Sequence, residues 1–137
     1  MLNKVIFYTT LCILISSCSI LNKQNNYKKP IDLLFQNKKI DSIKIHVQRD
    51  DKLCKDETDN NQDCPIKLYV DDFKSGEFFT NNEAFYYLKP NKYILKAKNC
   101  TNECSKYELK IDLNNQLKYV TYVLSIDNES NPIIIQK

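Results

Sequence analysis

The sequence predicts an all-β domain, a small antiparallel sandwich of seven to eight strands, and three observations carry that prediction. The chain holds a single glycine, Gly76, against nine tyrosines and six phenylalanines, and it is rich in isoleucine. Branched and aromatic side chains pack better on a pleated sheet than around a helix. Apolar residues recur at every second position in several segments, which is the period of a strand with one wet face. Polar turn-forming stretches separate those segments, and short strands so spaced build two packed layers.

Taken in order, Ile31 to Phe35 does not alternate and is too short to nucleate a helix. It reads as at most one helical turn, a lid or lead-in. Ile43, Ile45 and Val47 alternate with Ser42, Lys44, His46 and Gln48. Ile66, Leu68 and Val70 alternate with Lys67, Tyr69 and Asp71. The rhythm returns in Tyr93, Leu95 and Ala97, then in Tyr107, Leu109, Ile111 and Leu113 set against Lys106, Glu108, Lys110 and Asp112. Lys118 to Ile126 follows with Val120, Tyr122, Leu124 and Ile126 inward. Ile133, Ile134 and Ile135 predict a last strand buried on both sides.

The first thirty residues differ in kind. Val5 to Ile15 is too short to span a bilayer but has the length and flanking lysine of a secretory signal. It ends in Ile15-Ser16-Ser17-Cys18, which resembles a bacterial lipobox. The resemblance implies a signal peptide over residues 1–17, removal of that segment, and a diacylglyceryl thioether on Cys18. Two or three acyl chains on one residue hold a protein permanently at a membrane. Ser19 stands where enteric lipoproteins kept in the inner membrane carry aspartate, so the resemblance points to the outer membrane facing the periplasm. Residues 18–30 read as the lipidated end and a tether, because Asn22 to Pro30 has almost nothing apolar to bury. Its lysines Lys23, Lys28 and Lys29 read as solvated, with contact to anionic head groups as the alternative. Residues 31–137 are the domain.

Loss of residues 1–17 leaves enough chain for one core and removes only Lys4 from the charges, so 19 basic side chains face 17 acidic ones. That balance gives no field suited to nucleic acid. Cys54, Cys64, Cys100 and Cys104 remain beyond Cys18, an even number in an exported chain, and predict two disulfides. Three pairings are possible; Cys54 with Cys64 and Cys100 with Cys104 is preferred, since each closes a polar stretch. Their spacing does not match a zinc knuckle.

The run Leu68-Tyr69-Val70-Asp71-Asp72-Phe73-Lys74-Ser75-Gly76-Glu77, followed by Ala84 to Tyr93 with Lys89-Pro90-Asn91-Lys92-Tyr93, resembles PEGA-like domains and envelope lipoproteins of the DUF2846 type. Asp72 and Asn91 stand where those families carry glycine, and both residue types enter left-handed turns readily. The resemblance implies an immunoglobulin-like or transthyretin-like sandwich with no catalytic set, a structural or binding module.

His46 is the lone histidine, and alternation places it on the polar face as an exposed strand residue, which argues against a catalytic triad. Asp50, Asp51, Asp56, Glu57, Asp59, Asn60, Asn61 and Asp63 gather oxygens around the Cys54–Cys64 loop, yet without the glycine and spacing of a calcium loop. They read as a solvated loop. No metal and no cofactor is expected. Phe73, Phe78, Phe79, Phe85, Tyr86 and Tyr87 crowd fifteen residues, so some rings face outward; packing of a second sheet or of the linker over them accounts for these residues more readily, and as the alternative Phe73, Phe78, Phe79 and Tyr86 are the candidate binding residues for a protein or glycan partner. The expectation is a non-catalytic, membrane-anchored envelope lipoprotein. The alternative is a periplasmic inhibitor of a lysozyme-like or other hydrolase, using residues 54 to 64 as the inserted loop.

Overall fold

The computed structural model describes residues 29–100 and 103–137. They form eight strands: β1 (Ile43–Arg49), β2 (Ile66–Val70), β3 (Phe73–Phe78), β4 (Glu83–Leu88), β5 (Asn91–Cys100), β6 (Cys104–Leu113), β7 (Tyr119–Ile126) and β8 (Pro132–Gln136). Two four-stranded sheets, ordered β4-β1-β7-β8 and β3-β2-β5-β6, face each other as a sandwich. Their inner faces meet in one core. Ile45, Val47, Tyr86, Val120, Tyr122 and Leu124 from the first sheet pack against Ile66, Leu68, Phe78, Leu95, Ala97, Ile111 and Leu113 from the second.

One pair departs from the expected antiparallel pattern. β1 and β7 run parallel, in register from Lys44↔Tyr119 to Arg49↔Leu124. Parallel neighbours need a long crossover, and here β2 to β6 supply it, all but β4 lying in the opposite sheet. β8 also differs from its predicted double burial: it is an edge strand, and Ile135 is exposed while Ile134 is buried.

Residues 31 to 36 form no helical turn. They run as a strap along one open side of the sandwich, where β3 and β4 are the outermost strands of their sheets. Ile31 exchanges both backbone hydrogen bonds with Glu77 at 3.1 and 2.9 Å, and Leu34 N–H donates to Ser75 O at 3.2 Å. On the other sheet, Tyr87 N–H donates to Phe35 O at 2.8 Å, and the Gln36 amide donates to Phe85 O at 2.7 Å. Asp32 and Phe35 take positive φ to make the bends. The strap thus supplies hydrogen-bond partners that both edges would otherwise lack.

Under the strap lies a β-bulge. Leu68 pairs with Gly76 but Tyr69 with Lys74, so Ser75 is the extra residue. Its hydroxyl donates to Phe73 O at 2.8 Å and accepts from Val70 N–H at 3.1 Å. Its carbonyl accepts the Tyr86 hydroxyl at 2.8 Å, which joins the two sheets through the core. The bulge satisfies its own polar groups, as buried ones must.

The turns use the left-handed region, but not where glycine was expected to be replaced. Asp71, at φ 54°, is the left-handed residue of the β2–β3 turn, not Asp72. Asn91 opens β5 without a positive φ. Asp71 earns its place by accepting from Ile94 N–H at 2.9 Å while its own N–H donates to Ile94 O at 2.8 Å.

Candidate binding face

Both predicted disulfides form, Cys54–Cys64 with Cα atoms 6.3 Å apart and Cys100–Cys104 with 4.1 Å. Cys18 lies outside the described residues. The predicted aromatic patch does not assemble. Phe78 and Tyr86 are fully buried, because strand alternation sends both inward, and they belong to the core. Phe79 is half-buried beside the β3–β4 turn, and Phe73 alone is exposed, at 63%, on the β2–β3 hairpin. The rings that do face out are their neighbours Phe85 and Tyr87.

Those two belong to a grid on the outer face of the first sheet. Strand register sets Tyr87, Lys44 and Tyr119 in one row, Phe85, His46 and Thr121 in the next, and Glu83, Gln48 and Val123 in a third. The Lys44 ammonium sits 4.0 Å from the centroid of Phe85, within cation–π range. Tyr119, half exposed at 50%, flanks an open groove of about 530 Å³ that runs past Leu117 and Thr121 to Gln136.

His46 is the hub of this grid and is not the exposed residue that alternation suggested. It is buried, at 9% exposure, because Phe85 stacks on its ring at 4.6 Å and Tyr119 lies tilted beside it at 6.3 Å. Its Nε2 meets Glu83 Oε2 at 2.8 Å and its Nδ1 meets the Tyr119 hydroxyl at 3.0 Å. A carboxylate partner calls for a proton on Nε2, and Nδ1 lies against the tyrosine hydroxyl. The hydrogen bond from His46, with help from Gln48, holds the Glu83 carboxyl below the usual carboxylate range. Both ring nitrogens are therefore committed, and the ring positions Tyr119 and Glu83 at the surface.

The acidic loop is also more ordered inside than its composition implied. The Glu57 carboxylate accepts from Cys54 N–H at 2.9 Å and from Cys64 N–H at 2.5 Å, bracing the disulfide from within. The Asn99 amide reaches Cys64 Sγ at 3.3 Å and Ser130 O at 2.8 Å, tying the loop to β5 and to the β7–β8 turn. At its base Arg49 is buried, paired with Asp50 and bonded to Lys52 O, while Asp50 also accepts from Ser125. Burial lowers the Arg49 guanidinium to about 10, with Glu57 and Asp51 opposing that shift. Among the described residues no three His, Cys, Asp or Glu side chains are grouped to hold a metal ion.

Arg49, Gln62, Asn82 and Asn99 are buried polar residues that alternation could not separate from inward apolar ones. No family model, no curated protein and no solved structure matches the chain.

Proposed function

We propose that the chain is a non-catalytic bacterial envelope lipoprotein. In this reading, lipid on Cys18 anchors it to a membrane, most simply the outer membrane facing the periplasm. The sandwich then presents the Lys44–His46–Phe85–Tyr119 grid to a protein or glycan of the envelope. The observation that carries this reading is the grid itself: aromatic rings lie on the outer face of the sheet among polar groups, and the histidine between them is hydrogen-bonded to Glu83 and Tyr119. Rings supply stacking surface, and Glu83, Gln48 and Lys44 supply hydrogen bonds at defined positions, the composition of a recognition surface. Two disulfides accord with an oxidising compartment. Among the described residues no helix is long and apolar enough to cross a membrane.

The test has two arms. Cys18→Ser should abolish labelling by a palmitate analogue and release the protein from membranes; persistent labelling defeats the anchor. Crosslinking in intact envelopes should capture a partner that Tyr119→Ala loses, and an unchanged crosslink pattern defeats the grid as the recognition surface.

One observation favours a second reading, that of a hydrolase inhibitor. Residues 54 to 64 are a polar loop closed by a disulfide and braced by Glu57, and a constrained loop loses little entropy on entering a cleft. Inhibition of lysozyme by the purified protein, lost on Glu57→Ala, supports that reading; no inhibition dismisses it for lysozyme-like enzymes.

A further inference from the structure

The strap covers β3 and β4, but β6 ends the second sheet with no backbone partner on its outer side among the described residues. It is ten residues long, carries no proline, and pairs with β5 along its whole length without a register shift. Such an edge is a template for another strand. Its N-terminal half is poorly covered on the inner side as well: Tyr107 is 37% exposed and Leu109 is half-buried.

The outward side chains of this strand alternate in sign, as Lys106, Glu108, Lys110 and Asp112. A lone row of lysines would repel a second copy, but this order is complementary to itself, most fully in one antiparallel register, since centring on Tyr107 or Ile111 keeps only one of the opposite-charge pairings. Centred on Leu109, it sets Lys106 opposite Asp112 of the other copy and Glu108 opposite Lys110, and both pairs occur twice by symmetry. Leu109 then meets Leu109 on the axis, and Tyr107 meets Ile111. Centring on Glu108 sets Lys106 against Lys110 and Glu108 against itself; centring on Lys110 sets Glu108 against Asp112 and Lys110 against itself. Opposite charges across strands stabilise and like charges do the reverse, so the pattern selects the first register and rejects its neighbours.

We propose that two copies of this chain pair edge to edge through β6, antiparallel about a two-fold axis at Leu109, joining their second sheets into one of eight strands. The interface is isologous and closes on itself. It is smaller than a standard protein interface, so the dimer is concentration-dependent. This inference stands apart from the anchor and from the grid on the opposite sheet.

Charge exchange tests it on the purified full chain in detergent, by sedimentation. Lys110→Glu sets a second carboxylate opposite Glu108 at two places, and the dimer dissociation constant should rise roughly tenfold from pair energies of this kind. Glu108→Lys should do the same. Mixing the two single variants should restore a heterodimer, and the double variant E108K/K110E should restore the homodimer. Both substitutions are on exposed positions, and unchanged thermal unfolding would show that folding is intact. A separate trap uses geometry: under mild oxidant Leu109→Cys should crosslink to itself more than the unmodified chain does. Tyr107→Cys should not, since its two copies stand roughly 13 Å apart in this register. A monomer at every concentration, higher oligomers in place of dimers, or failure of the mixed variants to pair would each overturn the proposal.

Discussion

Replacing Gly76 by alanine tests the link between strap, bulge and core more sharply than any other single change. Gly76 has no positive φ, so its backbone would accept a side chain, and the smaller unfolded entropy of alanine alone would stabilise by about 0.4–1 kcal/mol. Space decides against it. A Cβ there would lie 2.6 Å from the Tyr86 hydroxyl, 2.8 Å from Phe78 Cε2 and 3.0 Å from Leu33 Cδ2. Tyr86 and Phe78 are fully buried and cannot swing aside, and Leu33 is held by the strap.

Overpacking of this kind costs about 1–3 kcal/mol. Displacing the tyrosine also endangers its hydrogen bond to Ser75 O, worth about 1 kcal/mol. The net expectation is a loss of about 1–3 kcal/mol, a fall in melting temperature of roughly 5–15 °C for a domain of this size. Circular dichroism on Gly76→Ala measures it. Tyr86→Phe removes the atom that would be struck first, so it should cost less in the alanine background than in the parent, a positive coupling in a double-mutant cycle. A melting temperature that holds or rises in Gly76→Ala, or strict additivity with Tyr86→Phe, would refute the packing account.

Two further outcomes follow from the loop and the strap. Cys54→Ala/Cys64→Ala should lower stability by about 2–3 kcal/mol from loop closure, read as a shifted urea midpoint. Cys100→Ala/Cys104→Ala should lower it less, because β5 and β6 already close that hairpin up to Asn99↔Ser105. Stability should also fall in alkali. Glu77 and Asp32 raise the Lys74 ammonium from 10.5 to about 12, so its contribution is complete below pH 10.5 and is lost as pH climbs through 12. Burial raises the Tyr86 hydroxyl well above its ordinary 10, which acts in the same sense, since only the unfolded chain ionises it freely near pH 10. Urea midpoints at pH 9 and 11.5 should differ, and the difference should shrink in Tyr86→Phe; an equal or larger difference there would remove tyrosine from the account.

What alternation can reveal is phase, and where phase was unambiguous the reading held. Ile45, Val47, Leu68, Leu95 and Leu124 are inward and buried as their two-residue period required. Phase cannot report cover. His46 does sit on the outer side of β1, but Phe85 and Tyr119 come from strands far away in sequence and bury it. Nor can phase be read in an unbroken aromatic run: Phe78-Phe79 and Phe85-Tyr86-Tyr87 fit either setting, and for Phe78 the bulge at Ser75 in the same strand shifts the phase. Arg49 continues the inward row of β1 as a charge, tolerable only because Asp50 and Lys52 fold back onto it. The two disulfides were legible because four cysteines in two short spans leave little choice.

The four sheet edges are treated unequally, and that inequality bears on how the molecule associates. β3 and β4 share the strap, whose backbone satisfies both at once. β8 is a five-residue strand that opens on Pro132, short and partly closed to further pairing. β6 is twice as long, with no proline or register shift. With two edges covered by the strap and a third short, β6 is the one long edge without a backbone partner among the described residues, and it is the edge on which the proposed pairing acts. The alternating charges of Lys106, Glu108, Lys110 and Asp112 oppose the self-pairings centred one residue to either side and match most fully the one centred on Leu109, so they filter registers where a uniform row of lysines would repel all copies.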